Sequence, residues 1–305
     1  MYSAKRNRNR HYLGNALKMS ALSLLLFSAA CTSESSTTDP AKESKPSGES
    51  TETAASVYDQ ALEQAKALES YKIDSKTNYT VETADSEEPV ETAIEIAGDV
   101  IAKPEVQYGL KIDTLSQGQQ AATEVYATGS EIHAKDASGA WSTQTLDGSE
   151  ESSIVTTDIL DPAMLIEELS DYKDGLKLSE EGGAYTLTYE AADAEAAKLI
   201  EAGLGRQLGE SAQSGLSEML QSSAGSKVSY SLVVDKESHQ LSSSSVKMDT
   251  TLQVNEQDLH IVANSDGTYS DQNAVSEIAV PAEATADDSQ SDKADTESKD
   301  DEAGE

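Results

Sequence analysis

The chain has 305 residues, with 22 basic against 56 acidic side chains and a formal net charge of −34. That sign excludes nucleic acid, which needs a basic footprint, and direct docking on an anionic membrane surface, which would repel the chain. A single cysteine, Cys31, leaves no intramolecular disulfide framework.

The first predicted element is a leader. Lys5, Arg6, Arg8, Arg10 and Lys18 surround or precede an apolar run, Met19 to Ala30, and no acidic residue occurs before Glu34. As a helix the 12-residue run spans roughly 18 Å, short of the ~30 Å hydrocarbon core. A basic region, a short apolar stretch and small residues at its end describe a secretory signal over residues 1–30. Ser28-Ala29-Ala30-Cys31 looks like a bacterial lipobox, with Ser28 where leucine is usual. Cys31 is then the lipidation site and the first residue of the mature chain, on the outer face of the cytoplasmic membrane. The alternative is ordinary cleavage after Ala30, with Cys31 left as a free thiol. Two acyl chains, each methylene contributing ~0.8 kcal/mol, make such an anchor durable where one is marginal. Acylation also removes the only thiol, and with it thiolate catalysis and cysteine-ligated metals. Residues 1–30 hold five basic and no acidic side chains, so the mature chain carries −39.

Residues 31–54 follow as a Ser/Thr/Glu-rich tether without apolar periodicity. Its reach is roughly 26 Å at ~5–6 Å × √n, about three Debye lengths at physiological salt. The domain proper is expected over residues 55–283. Its opening stretch, Ala55 to Ser70, places Val57, Ala61, Leu62, Ala65 and Leu68 on one helical stripe. From Tyr71 the period becomes two, through Tyr71/Ile73/Ser75/Thr77/Tyr79/Val81, and it recurs in Val90/Thr92/Ile94/Ile96, Val106/Tyr108/Leu110/Ile112, around Val125, and in Ile132/Ala134. Further alternation runs through Tyr185/Leu187/Tyr189, Val228/Tyr230/Leu232/Val234, Val246/Met248/Thr250/Leu252 and Leu259/Ile261/Ala263. Turn residues such as Gln117-Gly118, Gly129-Ser130, Gly182-Gly183 and Asp266-Gly267 punctuate the runs. Between them, Asp161-Pro162 supplies an N-cap and a first-turn proline for a helix over Ala163–Leu169. Asp193 to Gln221 reads as a longer helical stretch in which Gly203, Gly205, Gly209 and Gly215 each cost about 1 kcal/mol, so a kink or two short helices is expected. Residues 284–305, dense in charge and free of large apolar groups, read as a disordered acidic tail.

Clean alternation means a sheet with one buried and one wet face, hence antiparallel strands. About nine or more strands with a greasy face, and helices to cover it, give an α+β class.

An opening helix, a long meander, Glu124-x-Tyr126 followed by Gly129 and Ile132-x-Ala134, then Trp141 and a closing Ile278-Ala-Val-Pro281, resemble the LolA/LppX-like bacterial lipoprotein superfamily. The resemblance implies a strongly curved half-barrel with helices covering its concave side. In the carriers of that superfamily the space between sheet and helices holds acyl chains. No binding residue transfers one to one.

Chemistry is sparse. His133, His239 and His260 lie in separate strands or turns without ligand spacing, and no nucleophile elbow, zinc-protease, phosphate-loop or calcium-loop motif occurs. No cofactor, no metal and no enzymatic activity are expected. A wall-active hydrolase would need aromatic platforms, whereas the mature chain has no Phe, one Trp and ten Tyr. Tyr in place of Phe suits a face that meets amphiphiles, since each buried hydroxyl needs a partner; the plainer reading is that Tyr fits half-buried strands. The candidate groove residues are Tyr108, Leu110, Tyr185, Tyr189, Tyr230 and Leu232. The candidate lid hinges at Gly203, Gly205 and Gly209. The function expected is that of a monomeric, membrane-anchored protein binding an amphiphilic or hydrophobic ligand non-covalently. The alternative is a structural envelope lipoprotein with a self-filled barrel.

Overall fold

The computed structural model describes residues 52–83, 88–145, 160–208, 219–220, 225–254 and 257–285. The lipobox, most of the tether and the acidic tail lie outside them. The opening helix, α1 (Ala54–Ala67), starts where Thr53 caps it: the Thr53 hydroxyl accepts from the Ser56 N–H at 3.1 Å. Its stripe, Val57, Tyr58, Ala61 and Ala65, is buried. At its far end the Lys103 ammonium donates to the Lys66 carbonyl, satisfying a group that the helix leaves open.

Eleven strands follow, in one open antiparallel sheet. The first six are β1 (Ser70–Thr83), β2 (Val90–Ile101), β3 (Gln107–Ser116), β4 (Gln119–Thr128), β5 (Glu131–Lys135) and β6 (Trp141–Thr145). The last five are β7 (Lys177–Glu181), β8 (Ala184–Ala192), β9 (Lys227–Asp235), β10 (Leu241–Val254) and β11 (Gln257–Ser270). Their order is β6-β5-β4-β3-β2-β1-β11-β10-β9-β8-β7. Two meanders therefore meet at a seam between the first and last strands, in register from Lys72↔Ser270 to Thr83↔Leu259. After β11 the chain is pinned to the start of β1. Asn273 N–H donates to the Ser70 carbonyl at 2.7 Å, and Val275 N–H to the Ser70 hydroxyl at 3.1 Å. Ala284, within the expected tail, is buried.

The helices lie on the concave face: α1 precedes the first meander, the next helix joins the two meanders, and the last connects β8 to β9. α2 (Pro162–Glu167) begins as expected, with the Asp161 carboxylate accepting from the Ala163 N–H at 2.8 Å, and a 3-10 turn (Ser170–Gly175) follows. α3 (Asp193–Leu208) runs as one helix through Gly203 and Gly205, so a division into two short helices does not fall at those glycines. Packing holds it: Ala196, Leu199, Ile200 and Leu204 are all buried, and the helix lies against β8 and β9. Gly209 lies outside the described residues.

Gly98 faces the concave side between Ile73 and Leu110, where β2 and β3 come unusually close. A Cβ there would fall 2.0 Å from the Gly109 carbonyl oxygen, so only glycine permits β2 to approach β3 this closely. Gly109 in turn lies under the Tyr126 ring on the outer face, with Ile278 above it. Gly98→Ala is expected to destabilise the fold by about 1–3 kcal/mol, the range for overpacking. Urea unfolding measures it; a stability equal to wild type would show that the strands do not approach in this way.

Candidate ligand-binding face

Register places the inward side chains in rows across the sheet. One row runs Ile112–Ile96–Ser75–Gly267–Ser244–Leu232–Leu187–Leu178. Its middle consists of two serines and a glycine, all buried. The next row carries Thr77 and Ser265, whose hydroxyls bond each other at 2.7 Å, then Val246, Tyr230 and Tyr189. Small hydroxyl side chains that satisfy one another let the concave face stay low at its centre without stranding polar groups.

All six candidate groove residues face this side, in two separate places. Tyr108 and Leu110 lie on β3, while Tyr185, Tyr189, Tyr230 and Leu232 lie on β8 and β9. Their exposures run from 0% to 8%, so in this structure they form core. α1 packs on β8 and β10, and α3 on β8 and β9.

Tyrosine hydroxyls tie that helical cover down. Tyr58 of α1 donates to the Ile166 carbonyl at 3.0 Å, Tyr71 of β1 to the Leu160 carbonyl, and Tyr230 of β9 to the Glu168 carboxylate at 2.8 Å. Three elements thus bond one short segment, 160–168. Tyr189 adds a bond to Glu195 of α3 at 2.6 Å, and its ring lies 5.3 Å from that of Tyr172. Burial pushes the Tyr58 phenol up to about 12, with smaller contributions from Glu167, Asp59 and Asp171, so it remains a donor at neutral pH. Tyr79 differs. It is 2% exposed, yet its hydroxyl finds no hydrogen-bond partner.

Toward the β1–β2 and β3–β4 turns the cover ends. The inward residues Val81, Val90, Thr92, Thr114, Ser116 and Thr123 are only half-buried there, and Ala121 is exposed. A hollow of about 980 Å³ adjoins this end, at the upper end of the ~300–1,000 Å³ usual for ligand sites. Tyr79, Val90 and Thr92 wall it from the concave side, and Asn78, Thr80, Glu91 and Leu115 from the rim and outer face. The sequence reading, which sought aromatic and apolar side chains, did not single out this quadrant. The signal available was Thr92, Thr114 and Ser116 at inward positions where other strands carry Ile, Leu or Tyr.

The remaining chemistry lies elsewhere. His133 is buried beside Thr143, and His239 stacks against Tyr185. His260 sits on the outer face between Asp249 at 2.9 Å and Glu82 at 3.4 Å, and its hydrogen bond to Asp249 raises its pKa. Among the described residues no group of three or more acidic, His or Cys side chains is placed to hold a metal. No described helix is long and apolar enough to cross a membrane.

A family model of unknown function, DUF6612, matches residues 53–289. The chain belongs to that family. No curated protein matches the sequence. Among solved structures it is similar to LprF from Mycobacterium bovis, at 13% identity and a TM-score of 0.39, covering 75% of this chain and 96% of that one. It is also similar to a DUF1329 family protein from Desulfovibrio piger, at 8% identity and a TM-score of 0.23, over 70% of this chain and 91% of that one. A beta-barrel-like DUF1849 protein from Brucella abortus aligns at 7% identity and a TM-score of 0.21, over 66% and 99% of the respective chains. Of the residues quoted above for the superfamily resemblance, Ile132 and Ala134 face the concave side, while Glu124, Tyr126 and Trp141 lie on the outer face. Tyr126 and Trp141 lie 5.9 Å apart, Lys135 sits over the indole, and Glu124 pairs with Lys135 at 3.0 Å. These outer-face residues brace the sheet's edge.

The hydroxyl bonds have separable consequences. Tyr58→Phe, Tyr71→Phe and Tyr230→Phe are each expected to lose about 1–2 kcal/mol, because each removes the donor from a buried acceptor. Tyr79→Phe removes a hydroxyl without a partner and is expected to be neutral or slightly stabilising. Thermal and urea unfolding of the four variants check this; an equal loss in all four would contradict the assignment.

Proposed function

We propose that this protein is a lipid-anchored extracytoplasmic binding protein that takes an amphiphile, without covalent chemistry, at the turn end of its half-barrel. One observation carries the reading: among the described residues the concave face is closed under α1–α3 but only half-buried at the turn end of β1–β4, where it adjoins the hollow of about 980 Å³. Mixed Val, Thr, Ser and Tyr walls suit a molecule with both an apolar and a polar part. Apolar area buried there contributes about 25 cal/mol per Å². The leader and Cys31 supply the anchor and the tether carries the domain, acting as a monomer, clear of the anionic leaflet. The resemblance to LolA/LppX-like lipoproteins agrees with this place and task.

The second reading is a structural envelope lipoprotein with a self-filled barrel. The burial of all six sequence-chosen groove residues favours it. Copurification separates the two. Protein purified from cells is extracted with organic solvent, and the extract is analysed by mass spectrometry. The first reading expects about one amphiphile per chain besides the covalent anchor, reduced at least fivefold by Thr92→Trp, which projects bulk into the hollow. An extract with no such molecule favours the self-filled barrel.

A further inference from the structure

On the outer face at the turn end, one imidazole joins three strands. His260 of β11 stands opposite Glu82 of β1 and Thr251 of β10 in the register. Its Nε2 lies 2.9 Å from a carboxylate oxygen of Asp249 on β10, and its Nδ1 lies 3.4 Å from one of Glu82. An ionised carboxylate only accepts hydrogen bonds, and a neutral imidazole has one N–H and one acceptor nitrogen. Only the imidazolium can donate to both partners at once. Among the described residues, the other charged groups on this part of the face are three. Asp258 lies two residues earlier on β11 and accepts from Gln253 at 3.5 Å, Glu91 of β2 is opposite Thr80, and Lys227 of β9 is opposite Asp249. A neutral His260 leaves Glu82 and Asp249 on either side of β11 without a cation between them, Lys227 being on the far side of Asp249.

We infer that His260 is a proton-operated clasp: charged, it holds the turn-end portions of β1, β11 and β10 together, and on losing its proton it lets that end loosen. The cluster adjoins the hollow, whose wall includes Thr80, two residues before Glu82 on the same face. The hydrogen bond to Asp249 is the main cause that raises the His260 pKa; burial opposes it, and the bond to Glu82 adds to it. With the folded-state pKa above the ordinary 6.5, the clasp's contribution is complete below 6.5 and is lost as the pH rises through the higher folded-state value. The His260 side chain is 41% exposed, so each contact is weak, and its loss loosens strand ends without unfolding the domain. The inference does not depend on what the hollow binds.

The test uses residues 31–305 with Cys31→Ser as the parent protein. Protein labelled at histidine is titrated by NMR, and the His260 signal is identified by its loss in His260→Gln. Its midpoint is expected above 6.5, and Asp249→Asn is expected to lower it. Backbone hydrogen exchange, corrected for its intrinsic pH dependence, is then compared between about pH 6 and about pH 9. From the lower to the higher pH, protection in residues 80–83, 249–252 and 259–262 is expected to fall at least threefold relative to residues 230–234. In His260→Gln and in Asp249→Asn that relative fall is expected to disappear. A midpoint at or below 6.5, or one unmoved by Asp249→Asn, would overturn the inference. So would turn-end protection that does not change with pH, or that changes as much in both variants as in the parent.

Discussion

A hydroxyl buried on an apolar face must find a partner, and that requirement organises this molecule. Residues 31–305 hold ten tyrosines and no phenylalanine, so many of the large inward side chains bring a hydroxyl with them. Tyr58, Tyr71 and Tyr230 place those hydroxyls on a short segment, 160–168, whose Leu160, Ala163 and Ile166 are buried. The segment has one six-residue helix, too short to be stable alone. Its position follows from side chains on α1, β1 and β9 that converge on it. The cover in turn closes the rows under it and, among the described residues, leaves the turn end of β1–β4 only half-buried.

Much of this could be read in the residues. Alternation located nine of the eleven strands, the Asp161-Pro162 pair marked the start of α2, and the stripe from Val57 to Ala65 gave α1. The two strands not anticipated, β6 and β7, are the edges of the sheet. Each is five residues long and mostly exposed. An edge strand with little burial has no reason to alternate, and the charges of β7 (Lys177, Glu180, Glu181) also discourage pairing with another chain. The seam between β1 and β11 was not legible either, because pairing between the first and last strands depends on the whole chain's topology.

The candidate site shows a similar division. Inward direction was correctly legible for Tyr108, Leu110, Tyr185, Tyr189, Tyr230 and Leu232, since the period of two decides it. Whether a helix then covers them is a tertiary matter, and for β8 and β9 it does. Glycine content suggested a weak point in α3, yet burial of Leu199, Ile200 and Leu204 holds the helix through Gly203 and Gly205. The half-buried quadrant escaped notice for the opposite reason: threonine and serine at inward positions look like ordinary strand residues.

Charge and geometry point the same way for the task. A strongly acidic domain is repelled by an anionic leaflet, and among the described residues no Lys or Arg lines the hollow at the turn end. The central claim is that a ligand sits over β1–β4 and not beneath α1–α3. A diacyl lipid bearing a photoactivatable group on its acyl chain, crosslinked in place and mapped by peptide mass spectrometry, tests this directly. The account predicts labels in residues 79–81, 90–92 and 114–123. Labels concentrated in residues 185–189 and 230–232 would contradict it.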